Sequence, residues 1–303
     1  MGLTSAMFTG VSGLLANAEG MTVIGNNLSN VNTVGFKSGR MLFSDVLSVE
    51  IGNSSQVGRG TQIQKVDNMF GQGSFESTES VTDLALQGNA FFVLAQPDAA
   101  AGAAVTGDKA YYTRAGAFRF SPDTAVSPAT DNYLTNPDGY RLLDVDGNPI
   151  MITIPAAPPA ATEFVKVARI DTDGKIQLLL GDGTLAYYDG NPTTGTTDPT
   201  LAKRIGTIII PNPNALQKVG GTLFKAAADA GITAANTVFS ASYNTTTNEA
   251  TTEKMFSNSL EQSNVDMAAQ FVKMILTQRA YSANSKTITT SDEMTQEVIN
   301  LKR

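Results

Sequence analysis

The 303-residue chain contains no cysteine, no histidine and no tryptophan. Without cysteine there is no disulfide, no thiolate nucleophile and no sulfur-rich zinc site. Without histidine, imidazole acid–base chemistry is absent, as is the commonest nitrogen ligand for metals. A cysteine-free composition suits an extracellular life. Charged residues are also scarce, at 16%, against the usual quarter of a soluble protein. Aromatics are only 7%, so one thick hydrophobic core is not the expected picture. The first twenty residues lack Lys and Arg, and Thr4, Ser5, Thr9, Ser12 and Asn17 break their apolar run. That is no signal-peptide pattern. No stretch is apolar for long enough to cross a bilayer. The expectation is a chain that stays in the cytosol or leaves by a route that reads no cleavable signal peptide.

The charge that is present is unevenly spread. Residues 1–38 carry one acid, Glu19, and one base, Lys37. Residues 251–303 carry six acids and six bases. The middle therefore holds 21 acids and 14 bases, which accounts for the whole net charge of −7. Neutral ends suit dense packing against protein, and an acidic middle suits solvent. A negative chain without a basic cluster argues against nucleic acid as a partner.

Both ends read as helices. In residues 4–28, Met7, Leu14, Met21 and Leu28 repeat every seven residues, with Val11, Ile24 and Val31 beside them. Gly10, Gly13, Gly20 and Gly25 interrupt this pattern, each costing roughly 1 kcal/mol against alanine in a helix interior. Such a helix is expected to be marginal alone and to form when something packs on it. Small residues also let a neighbouring backbone come close. Residues 264–300 have neither glycine nor proline, and Ser263 with Asp266 gives a start resembling a capping box. Met267, Phe271, Met274, Tyr281 and Ile288 form one apolar stripe; Val265, Ala268, Val272 and Ile275 form a second. A helix this long needs a long partner, and the N-terminal helix is the candidate. One stripe would meet it, leaving the other for further subunits. The plainer reading is an ordinary intramolecular helical hairpin.

Between the helices, residues 39–75 are expected to be extended and irregular. From 76 to 250 the pattern is β. AFFVLA (90–95), AYYT (110–113), FRF (118–120), FVKVARI (164–170), KIQLLL (175–180) and IGTIII (205–210) alternate with Asp-Gly turns at 138–139, 146–147, 173–174, 182–183 and 189–190. PAAPPAA (155–161) and DGNPTTGTTDPT (189–200) read as loops. The fold class is α+β: long terminal helices paired as a coiled coil, with a central, mostly antiparallel β-domain. Its divisions are 1–38 (inner helical), 39–75 (linker), 76–250 (outer β-domain) and 251–303 (inner helical).

Site-like features are few. DTDGKI (171–176) and DVDGNP (144–149) begin like calcium loops, but Gly stands fourth rather than sixth and no Glu follows at twelve. Hairpin turns explain them better. No phosphate loop, dinucleotide fingerprint or nucleophile–base pair appears. No catalytic, cofactor-binding or metal-binding residue is assigned. GNNLSNVNTVGFK (25–37) packs four asparagines into thirteen residues where a helix ends. Asn caps and turns readily because it tolerates left-handed backbone. An amide-built glycan site is the rival reading.

Several motifs together resemble the flagellar axial proteins that build the bacterial rod and hook. GVSGLLANAEGMTVIGNNLSNVNTVGFKSGR (10–40) resembles that family's N-terminal signature, with Asn26, Asn27, Asn30, Thr33, Gly35, Phe36 and Lys37 on its best-marked positions. QGSFESTESVTDLALQGNAFFVL (72–94), YYTRAGAFRF (111–120) and IPNPNALQKVGGTLFKAAADAG (210–231) resemble its β-domain. LEQSNVDMAAQFVKMILTQRAYSANSKTITTSDEM (260–294) resembles its C-terminal signature, with Ser263, Asn264, Val265, Gln278, Arg279 and Ala280 in place. VIGNNLSN, FKSGR and the ending INLKR look most like the hook branch, to which the chain is assigned as a minimal member. The short link between residues 141–159 and 163–176 resembles the distal rod branch, which stands as the near alternative.

The resemblance implies a structural protein rather than an enzyme, without cofactor or small-molecule substrate. It implies a helical polymer of the chain itself, transmitting motor torque. It also implies neighbours among the rod, hook-cap and hook–filament junction proteins, and export by the flagellar type III apparatus. Assembly contacts would fall on Met7, Val11, Leu14, Met21, Ile24 and Leu28 of the first helix. On the second they would fall on Asn264, Val265, Phe271, Ile275, Gln278, Arg279 and Tyr281. Two rivals remain at this point: a secreted glycan-binding β-protein, and a hydrolase built on scattered carboxylates.

Overall fold

Helix α1 spans Gly2–Ser29 and helix α2 spans Met267–Leu301. At 1.5 Å per residue these are about 42 and 52 Å long. The computed structural model describes residues 2–52, 55–97, 110–122, 131–153, 163–193, 195–232, 243–244, 249–250 and 253–301. The stretch 155–161, expected to be a loop, and the last two residues of INLKR lie outside these. The chain divides into two compact units, each described by itself: one built from 1–32, 37–69 and 265–303, the other from 33–36 and 70–264.

In the first unit α1 and α2 pack antiparallel: Gly10 lies against Ile288, Gly13 against Asn284 and Gly20 near Thr277. Asp266 caps α2, its carboxylate accepting the Ala269 N–H at 3.1 Å. That satisfies one of the four orphan donors of the first turn. Residues 39–75, expected to be irregular, contain ordered strands. β1 (Gly39–Asp45) pairs antiparallel with β4 (Thr61–Asn68), and β2 (Val49–Gly52) pairs with β3 (Ser55–Val57). In TQIQKVDN the apolar residues Ile63 and Val66 stand three apart, so no period-2 alternation marks this strand in the sequence.

The second unit is the β-domain, and its strand pairs are antiparallel. It runs β5 (Phe75–Ser77), β6 (Leu84–Gln87), β7 (Ala90–Ala95), β8 (Tyr111–Thr113), β9 (Arg119–Pro122), β10 (Asp131–Thr135), β11 (Arg141–Leu142) and β12 (Met151–Thr153). β13 (Phe164–Ile170), β14 (Ile176–Leu180), β15 (Leu185–Tyr187), β16 (Thr207–Ile209), β17 (Leu216–Gly220) and β18 (Leu223–Ala226) follow. Then come β19 (Tyr243–Asn244), β20 (Glu249–Ala250), β21 (Lys254–Ser257) and β22 (Ser259–Glu261). The largest sheet orders β12-β10-β11-β7-β8-β18-β17, with β16 added to β7 and β9 to β10. β13, β14 and β15 form a separate three-stranded sheet.

β7 is the hub. Its alternating side chains feed two cores: Ala90, Phe92 and Leu94 join one cluster, and Phe91, Val93 and Ala95 the other. A strand buried on both faces reads as a continuous apolar run, which is why AFFVLA has no polar residue. The Asp-Gly turns take the left-handed backbone that glycine supplies: Gly139, Gly147, Gly174, Gly183 and Gly190 have φ between 80° and 96°.

Residues 251–263, grouped with the C-terminal helical segment on sequence, hold the strands Lys254–Ser257 and Ser259–Glu261 and no helix where described. β21 pairs with β6 and β22 with β5. The helical periodicity begins only at Met267, after the Asp266 cap.

Candidate assembly surface

The face of α1 turned toward α2 is not the Met7–Leu14–Met21–Leu28 heptad. Gly10, Gly13, Ala16, Gly20, Ile24 and Asn27 are the buried positions of α1, while Met7, Leu14, Met21 and Leu28 are half-buried flanks and Val11 is exposed. A Cβ on Gly13 would come within 2.7 Å of the Asn284 Nδ2, and one on Gly10 within 3.0 Å of the Ile288 Cγ1. Gly10 and Gly13, which lower helix propensity, therefore also allow close approach, whereas a Cβ on Gly25 would meet nothing within 4 Å. The energetic loss in α1 is offset by contact with α2.

On α2 the matching positions are Gln270 and Ser291, both buried, with Met274, Thr277, Asn284 and Ile288 half-buried between them. Phe271 and Ile275, named among the assembly contacts, are 46% and 56% exposed. Val272, Leu276 and Tyr281 are exposed too, as are Gln278 and Arg279. The seam takes Met274 and Ile288 from the first apolar stripe and leaves Phe271, Val272, Ile275 and Leu276 exposed.

Much of α2's polarity is turned inward on itself. Thr277, Ser282, Thr287, Ser291 and Thr295 each donate to the carbonyl four residues back. These hydroxyls present methyl groups or small surfaces outward without demanding a partner across an interface.

The asparagine-rich stretch divides its work. The Asn30 side-chain amide donates to the Asn26 carbonyl at 2.8 Å, closing the end of α1. Asn27 is buried. Its Nδ2 donates to the Gly39 carbonyl and its Oδ1 accepts the Gly39 N–H, each at 2.8 Å. Its Nδ2 also lies 3.4 Å from the Gln270 Oε1. One amide thus substitutes for a β-strand partner at the start of β1 while touching α2.

In the β-domain, the end of the N-terminal motif meets the start of the C-terminal one. The Gly35 N–H donates to the Glu261 carbonyl at 2.7 Å, and the Asn264 N–H donates to the Phe36 carbonyl at 3.3 Å. The Phe36 carbonyl follows a turn in which its own N–H donates to the Thr33 carbonyl. The Phe36 ring is buried under the Lys218 amine, 4.6 Å from its centroid. Burial holds that amine below its ordinary pKa. The Asn264 side chain donates to the Gly71 carbonyl at 3.0 Å. Val265 is half-buried, and the Lys37 side chain is fully buried.

Sequence reasoning missed the charges buried beside this junction. Arg114 and Glu261 are sealed from solvent, and Arg114 also donates to the carbonyls of Leu86 and Gly88. Glu253, buried too, accepts the Ala90 N–H. The signal available was Arg114 between Thr113 and Ala115 in an otherwise uncharged run, YYTRAGAF.

These features now stand beside known proteins. Residues 7–37 match the model of the flagella basal body rod protein family, and residues 257–301 match that of the flagellar basal body rod FlgEFG protein C-terminal region. The flagellar basal-body rod protein FlgG of Bacillus subtilis is 32% identical over 98% of this chain and 99% of its own length. The chain belongs to the flagellar rod and hook axial protein family. It is a structural axial subunit of the bacterial flagellum, from a family whose members polymerise with other flagellar proteins. The rod protein FlgG of Borreliella burgdorferi is 30% identical over 98% of both chains. The flagellar hook protein FlgE of the same organism is 35% identical, over 49% of this axial subunit and 34% of its own length. Among the described residues of the subunit, no helix is long and apolar enough to cross a membrane.

Proposed function

We propose that the subunit builds a tube whose inner wall is made by α1 and α2, paired as an antiparallel coiled coil and joined to neighbours through the outward face of α2. The observation that carries this is the exposed run Phe271, Val272, Ile275 and Leu276 on a helix whose Thr277 and Ser282 hydroxyls are already bonded to its own carbonyls. Apolar side chains left out of the intramolecular seam are the natural contact for further copies. Glycine-weakened α1 orders as that wall forms. The acidic β-domain stays with solvent. Export by the flagellar type III apparatus, with rod, hook-cap and junction proteins as neighbours, belongs to the same reading.

End-to-end correspondence with rod proteins supports a place in the rod. The higher identity to hook proteins within the matched half keeps a hook as the second reading. Electron microscopy of the assembled tube separates them: straight for rod, curved for hook. The paired substitution Phe271→Ser with Ile275→Ser tests the wall itself. Assembly should be lost, while the monomer's unfolding free energy, read by urea denaturation, stays within about 0.5 kcal/mol per site, as for exposed positions. Tubes forming normally from that variant would sink the reading. Deleting residues 2–28 should also abolish assembly, whereas sugar binding by the β-domain would survive it.

A further inference from the structure

A groove of about 370 Å³ opens in the helical unit, bounded by α1, β1 and α2. Gly20 forms its floor, with Met41 Cε and Phe43 Cζ at 3.5 and 3.8 Å from where a Cβ would sit. Ile24, Met41, Phe43 and Leu276 make its walls apolar, and Lys273 stands at its edge. The Lys273 amine is exposed and makes no ion pair among the described residues.

A complementary feature lies on the same unit, elsewhere on α1. Phe8 and Leu15 are 72% and 62% exposed, and Val11 is exposed between them. Positions 8, 11, 15 and 19 share one helix face, so the stripe ends in Glu19. Glu19 is the single acid of residues 1–38, exposed, and without an ion pair among the described residues. Apolar character and charge therefore match: an apolar ridge ending in an unpaired carboxylate, and an apolar groove lined in part by an unpaired ammonium.

We propose that the Phe8–Leu15 ridge of one copy seats in the groove of a second copy, with Glu19 of the ridge meeting Lys273 of the groove. Ridge and groove are different patches. Phe8 and Ile24 are separated by about 24 Å along α1. A contact between unlike patches is head-to-tail, and repeated it generates an open helical polymer rather than a closed pair. The charges set register and orientation, while the apolar seat supplies most of the affinity. This inference rests on the axial-polymer reading and names the residues that propagate it.

Charge reversal in the full-length chain tests it. Glu19→Lys should raise the concentration needed for tube formation, read by sedimentation, by about tenfold or more. Lys273→Glu should do the same, and the double variant should regain most of the loss. A second measurement uses the absence of cysteine. Mixed Leu15→Cys and Phe43→Cys chains should give a crosslinked heterodimer on mild oxidation, at assembly concentration. If wild-type chains form no tube, the polymer reading and this contact fall together. If tubes form equally well from Glu19→Lys, if the double variant shows no recovery, or if mixed cysteine chains in tubes stay uncrosslinked, this contact alone falls.

Discussion

Arg114 and Glu261 lie 147 residues apart in the chain, yet their side chains form an ion pair at 3.4 Å with no solvent access. Glu261 is the last residue of β22, and its other carboxylate oxygen accepts the Gly73 N–H at 2.8 Å. The pair therefore ties the returning chain to β8 and to the entry of the β-domain. Burial is the larger influence on Arg114 and lowers its pKa; the Glu261 and Glu253 carboxylates act against it. The Arg114 Nε has no hydrogen-bond partner, so the guanidinium depends on those carboxylates and two carbonyls.

Removing one member should be worse than removing both. Glu261→Gln leaves a buried cation short of its counter-charge and should cost about 3–5 kcal/mol in urea unfolding. Arg114→Met with Glu261→Met should recover part of that loss: the unpaired cation is gone, while the Glu253 carboxylate, still bonded to the Ala90 N–H, loses a nearby cation. Equal loss in the single and double variants would show that the pair acts through packing alone.

Gly35 has φ +68°, and a Cβ there would come within 2.4 Å of the Ala115 backbone nitrogen. Gly35→Ala thus meets both a left-handed backbone and a rigid obstacle. The strain alone costs about 1–3 kcal/mol. A clear fall in the urea midpoint is expected, together with faster amide exchange at Gly35, whose N–H bond to Glu261 must stretch. An unchanged midpoint would contradict this account.

Asn27→Ala should strand the N–H and the carbonyl of Gly39. Each buried group left unmade costs about 1–3 kcal/mol. The expected result is a lower urea midpoint, with fast hydrogen exchange at Gly39. Asn27→Asp should be no rescue, because it restores the acceptor but sets a carboxylate against the Gly39 carbonyl.

Asp144 carries a pH signature. Burial raises its carboxyl above the ordinary value of 3.8, overcoming the N–H groups of Asp146 and Asn148 that favour the charged form. The folded chain then holds that proton more tightly than the unfolded chain. Its stabilising contribution is complete below 3.8 and is lost as pH rises through the raised value. Asp144→Asn retains an oxygen for both N–H donors and removes the titration. The variant should therefore gain stability relative to wild type as pH rises from the acid side to neutrality, read as urea midpoints across pH. A constant difference between the two would overturn the assignment.

How much was legible beforehand differs by element. AFFVLA, FVKVARI and the five Asp-Gly turns were readable because strand burial and left-handed turns are written locally, in periodicity and in glycine. The existence of both helices was readable for the same reason. The asparagine stretch was read as a helix terminator, which describes Asn30; the strand-like pairing of Asn27 with Gly39 was not visible. The β1–β4 pair escaped because its strands are joined by a long connection that carries no tight-turn signal.

Sequence alone determined the α+β order, the neutral ends and acidic middle, and the family signatures at 10–40 and 260–294. Tertiary structure decided which helix faces meet, that residues 254–261 join the β-domain, and that Arg114 finds Glu261. The reason is physical. A periodic stripe states that a face is apolar, not which surface will cover it. The helices meet closely at Gly10 and Gly13, with the heptad on the flanks and Phe271 and Ile275 outside. Only the assembled chain shows that choice.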